Sequence, residues 1–250
     1  MAIKRRDLIV SGVVLLAVFG GIPALRRFNS SFQFDPVDGL EGFRRLGAGS
    51  MSAGSALFVG LDASNEDLSV ERARIRQIPC RSIFGPQVAS DGRLPIAVIS
   101  DYNCPYCAVL SERLIRLEES GVPIRLIWLE LPRLGPRSER SAHAALAAAQ
   151  QGNYVNAHRY LMARVLPPGS NGLRQMARNL DLNPDQLIAD ANSNVVAREL
   201  RRARALASVF GVIGTPTTVV GRTIVVGSIT YSDLIQLVEL ERSETELPCD

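Results

Sequence analysis

Two cysteines three residues apart, Cys104 and Cys107 in ISDYNCPYCAVL (Ile99–Leu110), are the side chains best suited to chemistry in this 250-residue chain. A thiolate, not a thiol, attacks disulfides, and its pKa falls at a helix N-terminus, where unpaired N–H groups and the macrodipole favour negative charge. Cys104 follows a short apolar run and precedes Pro105, a residue suited to the first helical position because its missing N–H loses nothing there. That reading puts the sulfur of Cys104 at a helix start and Cys107 one turn further in, more buried. Cys104 is then the nucleophile and Cys107 the resolving thiol. Such a ring opens and closes without large backbone motion, which suits a carrier of two electrons.

The same spacing has other uses. Structural zinc takes four ligands, commonly two C-x-x-C pairs or one pair plus histidine. Here Cys80 and Cys249 stand alone, and the two histidines, His143 and His158, lie fifteen residues apart on helical segments. They read as ordinary helix-surface or core residues. A zinc or Cu(I) site and two inert buried cysteines are the alternatives to a redox pair.

The elements that position the cysteines are legible from periodicity. Leu94–Ser100 (LPIAVIS) is apolar and β-branched, as expected of a strand buried on both faces. Val109, Leu110, Leu114, Ile115 and Leu117 recur at helical spacing, and Gly121 ends that helix. Val122–Pro132 is a second strand, giving a strand–helix–strand unit that should be parallel. Residues from about 137 to 210 read as successive helices; within them Asn183 caps a helix that Pro184 opens. TTVV and TIVVG then form strands joined by Gly221-Arg222, the length of a tight hairpin. YSDLIQLVELE closes the chain as a helix. The order is β-α-β, a helical block, β-β, α: one sheet with helices on it and a helical insertion.

Net charge is +3, and Lys4 is the only lysine. The arginines are interleaved with Asp and Glu and aromatics are 6%, which argues against a nucleic-acid binder. At the N-terminus Lys4, Arg5 and Arg6 precede an uncharged run, Leu8–Leu25, closed by Arg26 and Arg27. Eighteen helical residues span about 27 Å, enough for a bilayer core. Residues 1–27 therefore read as an export signal or signal anchor. No clean small-x-small site precedes Arg26, which favours an anchor with its N-terminus in the cytoplasm. Arg5-Arg6-Asp7-Leu8-Ile9 also resembles a twin-arginine signal, an ordinary basic leader being the simpler reading. Each option places the remainder outside the cytoplasm. Residues 28–79 read as a linker with a small pre-domain, and residues 80–250 as the main domain, with its helical insertion over about 135–210.

With the cysteines placed, the chain resembles the DsbA-like branch of the thioredoxin superfamily. SDYNCPYC resembles the family's active-site turn. ELPRLGPRSERSAHAALAAA resembles the start of its helical insertion, and VFGVIGTPTTVV its cis-proline loop. The resemblance covers about residues 83–241. It implies an α/β thioredoxin-like fold: a central mixed sheet flanked by helices, with an all-helical insertion, preceded by the membrane or signal helix. It implies that Pro216 is cis and faces the CPYC turn, and that this loop offers its backbone to an extended substrate. Thr215, Pro105 and Tyr106 are then substrate contacts. The implied activity is thiol–disulfide exchange on cysteine-containing proteins, with no cofactor or metal and a membrane redox partner that reloads the pair. The pattern does not separate oxidase, isomerase and reductase.

Two departures stand out. Many relatives in that family carry a buried acid six residues before the first cysteine; here that position is Val98. Glu130 could take over its proton work, although a strand-end surface carboxylate is the simpler reading. Tyr106 stands where the strongest oxidants have histidine and cannot supply a positive charge, which predicts a weaker oxidant. Finally, Cys80 precedes the fold and Cys249 follows it. Chain ends of one domain are often close, so these two are candidates for a structural disulfide. Free thiols, or Cys249 bonded to another chain, are the rivals.

Overall fold

The computed structural model describes residues 32–47, 49–53, 67–86, 88, 92–244, 247 and 249. The apolar run Leu8–Leu25, read above as a signal or anchor, lies outside them. Among the described residues no helix is long and apolar enough to cross a membrane.

In chain order the elements are β1 (Asp35–Pro36), β2 (Arg44–Gly47), α1 (Ser69–Gln77), α2 (Pro79–Phe84), β3 (Leu94–Ser100), α3 (Pro105–Glu119), β4 (Ile124–Glu130), α4 (Pro136–Gln150), α5 (Tyr154–Ala163), α6 (Gly169–Asn179), α7 (Pro184–Ala191), α8 (Asn194–Val209), β5 (Thr217–Val220), β6 (Thr223–Val226) and α9 (Tyr231–Ser243). The strands form one mixed sheet in the order β1-β2-β6-β5-β3-β4. β3 is parallel to β4 and antiparallel to β5, and β5 pairs antiparallel with β6. All seven residues of β3 are buried, which is why its sequence is a continuous apolar run. This is the thioredoxin-like arrangement, a mixed sheet flanked by helices, with α4–α8 inserted between β4 and β5.

The insertion has a core of its own. Ala144, Ala145, Ala147 and Ala148 of α4 pack with Leu161, Met176 and Leu187 from the next three helices. Small side chains on α4 let those helices come close. The β5–β6 turn is the expected two-residue one, with Gly221 at φ +53°. Below it sits a buried carboxylate: Glu241 of α9 accepts hydrogen bonds from Arg44 Nη2 (2.7 Å), from the Arg222 backbone N–H (2.9 Å) and from the Thr223 hydroxyl. A Cβ at position 221 would lie 2.5 Å from Glu241 Oε2, so glycine is needed there for space as well as for φ.

Part of residues 28–79, read above as a linker with a small pre-domain, belongs to the sheet. Arg44–Gly47 joins the sheet parallel to β6, with Leu46 buried, and residues from Phe34 onward fall in one unit with the rest. RRLG has one inward apolar residue, too little alternation to announce a strand. Its place is set by partners nearly two hundred residues away.

Cys80, buried on α2, is bonded to Cys249, with the two Cα atoms 4.9 Å apart. The bond closes a loop of 169 residues, for which the loop-entropy relation gives at most about 5 kcal/mol. The double variant Cys80→Ser/Cys249→Ser is expected to lose about 2–5 kcal/mol of unfolding free energy. Chemical denaturation without reductant checks this, and an unchanged midpoint would show the bond to be idle.

Candidate active site

β3 ends at Ser100 and delivers Asp101, buried, whose carboxylate meets four donors. Oδ1 accepts from the Asn103 backbone N–H (2.7 Å) and the Ser138 hydroxyl (2.5 Å). Oδ2 accepts from the backbone N–H groups of Arg133 (2.7 Å) and Leu134 (3.0 Å). The Asp101 carbonyl accepts from the Cys104 N–H at 3.1 Å. One side chain thus ties the cysteine turn to the loop that follows β4.

Cys104 is the N-cap of α3, with extended φ and ψ of −90° and 111°, and Pro105 opens the helix. Its sulfur accepts the Cys107 backbone N–H at 3.2 Å, one of the orphan donors of the first turn. The Thr215–Pro216 peptide is cis, and the Cys104 thiol donates to the Thr215 carbonyl at 3.2 Å. Residues 111 apart in sequence therefore meet at the sulfur. A hydrogen bond from the Cys107 side chain, with smaller help from the Ser52 and Thr215 hydroxyls, lowers the Cys104 pKa to about 6 against the opposing pull of burial. Burial first, then the neighbouring Cys104, pushes the Cys107 thiol far above the usual cysteine range. One sulfur is poised to be a thiolate and the other a thiol.

Both cysteines are free and buried, Cys104 at 2% exposure. Cys104 nevertheless lines a cavity of about 370 Å³ together with Tyr102, Pro105, Arg137, Met162 and Leu166. Pro105 and Tyr106 are exposed beside it, while Thr215 and Pro216 are buried beneath. The site is a buried sulfur with an open approach on one side.

The family model that matches the chain is the DSBA-like thioredoxin domain, over residues 95–239, which takes in both cysteines and the cis-proline. The chain belongs to the DSBA-like thioredoxin-domain family. A thioredoxin-like oxidoreductase from Silicibacter pomeroyi DSS-3 is 32% identical, with a TM-score of 0.60 and coverage of 66% of this chain and 99% of that one. The thiol-disulfide exchange protein α-DsbA2 of Wolbachia pipientis shares the fold at 21% identity, TM-score 0.59, covering 68% of this chain and 95% of that one. So does the catalytic domain of Proteus mirabilis ScsC, at 21% identity, TM-score 0.58, and coverage of 69% and 99%. The Na(+)/H(+) antiporter NhaA 3 of Salinispora tropica is 29% identical over 139 residues. The chain spans about a fifth of the length of that curated relative, the match covering 21% of it.

In this DSBA-like domain Val98 is buried opposite Thr218 on β5 and Trp128 on β4. Glu130 is not the surface carboxylate its strand-end position suggested: it is 2% exposed. The hydroxyls of Tyr102 (2.7 Å) and Tyr154 donate to its Oε1. His158, wholly buried, has Nδ1 2.9 Å from the Tyr102 hydroxyl and Nε2 2.9 Å from Ser111 Oγ. Helix α5 folds over the end of β4 and closes this cluster, which no local pattern announces. His143 places Nδ1 2.7 Å from the Ala191 carbonyl and is structural. Among the described residues no three His, Cys, Asp or Glu side chains form a metal-ligating group.

Sequence reasoning overlooked Asp101 and Ser52. Asp101 carried a weak signal, the first carboxylate after a fully apolar strand; Ser52 carried none.

In the reduced protein the thiolate absorbance of Cys104 is expected to titrate near pH 6, where the geometry puts its pKa at about 6. An unconstrained cysteine titrates near about 8.5. Because the folded value is the lower one, the thiolate's contribution to stability of the reduced form is full above about pH 8.5. It fades as the pH falls and is gone below about 6. A titration at the ordinary cysteine value would mean that the cap and the Cys107 hydrogen bond do not act on the sulfur.

Proposed function

We propose that this chain is an exported thiol–disulfide oxidoreductase that acts on protein cysteines through Cys104 and Cys107. The observation that carries the reading is the low-pKa Cys104 sulfur, capping a helix 3.2 Å from the carbonyl that precedes the cis-proline. From the oxidised pair, a substrate thiolate attacks Cys104 Sγ. A substrate–Cys104 disulfide forms, the Cys104–Cys107 bond breaks, and Cys107 leaves as a thiolate that takes up a proton. A second substrate thiolate then attacks the substrate sulfur of the mixed disulfide. Cys104 departs as the better leaving group, since leaving ability rises as thiol pKa falls. The substrate has lost two electrons and two protons, and the cysteine pair holds both electrons.

Thr215 and Pro216 form the floor on which the bonded substrate lies, and Pro105 and Tyr106 the exposed rim. The basic-flanked apolar run Leu8–Leu25 supports an extracytoplasmic location, tethered to the inner membrane if the leader stays. A membrane redox partner reloads the pair by accepting its two electrons. Tyr106 adds no positive charge beside the sulfur, and Cys104 at about 6 is a milder thiolate than the most acidic of its kind, near about 3.5.

The oxidised protein is expected to accelerate disulfide formation in a reduced, unfolded protein. Cys104→Ser removes turnover, and Cys107→Ser traps the substrate on Cys104. Equilibration with glutathione should put the potential nearer about −180 mV than about −120 mV. Full activity in Cys104→Ser would favour a metal-carrying or chaperone role and defeat this one; a potential near the oxidising limit would defeat the ranking by Tyr106.

A further inference from the structure

We infer that residues 49–53 are a built-in occupant of the position a client peptide takes beside Cys104, so that a client must displace the chain's own strap. The inference rests on the redox reading above and adds how access to that site is controlled.

Ser52 and Thr215 form an antiparallel bridge. The Ser52 N–H donates to the Thr215 carbonyl at 2.7 Å, and the Thr215 N–H donates to the Ser52 carbonyl at 2.8 Å. The same Thr215 carbonyl stands 3.2 Å from the Cys104 sulfur. A partner cysteine in disulfide linkage has its Cα within about 7 Å of the Cα it is bonded to. A client joined to Cys104 must therefore run its backbone past Thr215. Thr215 has one N–H to offer an added strand, and Ser52 holds it. An added strand draws its affinity from such main-chain bonds, so client and strap compete for the same groups.

The strap is fitted to its place. The Ser228 N–H donates to the Ser50 carbonyl at 2.9 Å. A Cβ at Gly49 would lie 2.2 Å from the Ser228 carbonyl oxygen, and one at Gly214 would lie 2.8 Å from Met51 Sδ. Glycine at 49 and at 214 thus permits the close approach. The hold is also limited: Gly49, Ser50 and Ala53 are exposed, and Met51 and Ser52 are half-buried. Each backbone bond of this kind shifts such an equilibrium by only about three- to tenfold. A client peptide can therefore displace the strap.

The test uses the full chain with Cys104–Cys107 oxidised. Two probes attack Cys104, each forming a mixed disulfide and releasing Cys107 as a thiolate. One is an extended peptide with a single cysteine; the other is 2-mercaptoethanol, which has no backbone to pair. The readout is the ratio of the two second-order rate constants, in which changes at the Cys104–Cys107 bond itself cancel. Gly49→Ala, which cannot sit under Ser228, and Ser52→Pro, which lacks the N–H, are expected to raise the ratio roughly fivefold. Ser52→Ala keeps the backbone bonds and is expected to leave the ratio unchanged. An unchanged or lower ratio in both strap variants overturns the inference, as does an equal rise in Ser52→Ala. If neither probe reacts with the unaltered protein, the redox reading itself fails and takes the strap's role with it.

Discussion

The reactive sulfur depends on a carboxylate that never touches it. Asp101 gathers two backbone N–H groups from the loop after β4, one from the cysteine turn, and the Ser138 hydroxyl of α4. Buried donors left unpaired are expensive, so the loop, the turn and the first helix of the insertion share one arrangement. Within it the first turn of α3 sets the Cys107 N–H on the Cys104 sulfur. The low pKa of that cysteine comes first from the Cys107 side chain and next from Ser52 and Thr215, groups that the turn and the facing loop bring to it.

A second constraint comes from the opposite direction. β5 runs antiparallel to β3, with Ile99 opposite Thr217. That register carries the Thr215–Pro216 peptide to the end of the sheet where α3 begins. The Thr215 carbonyl then faces the sulfur, while the Thr215 N–H is bonded to the Ser52 carbonyl. Sulfur and strand edge form one site because a single sheet presents both. The helical insertion covers one side of it and leaves the cavity by Tyr102 and Met162 as the approach.

Buried charge elsewhere in the fold serves architecture. Glu241 joins α9, the β5–β6 turn and Arg44 of β2, bringing together segments from both ends of the described chain. Removing one partner of such a buried pair typically destabilises a protein by about 3–5 kcal/mol. Glu130 and His158, with two tyrosines and Ser111, fill the space between β4, α3 and α5. Burial, and next the Glu130 charge, push both tyrosine hydroxyls well above their usual range, so they remain donors. This cluster stiffens the wall behind Tyr102, and Tyr102 is the one member that also lines the Cys104 cavity. The strap 49–53 is held with a lighter hand, by a few backbone bonds across open surface, as suits a segment that yields its place.

The local patterns of the sequence were enough for the cysteine turn, the strand before it, the helix after it, the hairpin and the run of insertion helices. Each rests on interactions between near neighbours: apolar periodicity, a proline at a helix start, a glycine in a turn. The same patterns put Cys104 at the helix start and Cys107 one turn further in. They misjudged Glu130, since a carboxylate at a strand end is buried only if a distant helix folds over it. They were silent on Asp101 as an anchor, on β2 as part of the sheet and on Ser52 beside the sulfur. Those roles are made by pairings over long stretches of chain, where backbone N–H and C=O groups carry no residue-specific label. Spacing along the chain settles which atoms can react; only the assembled sheet decides which backbone stands in front of them.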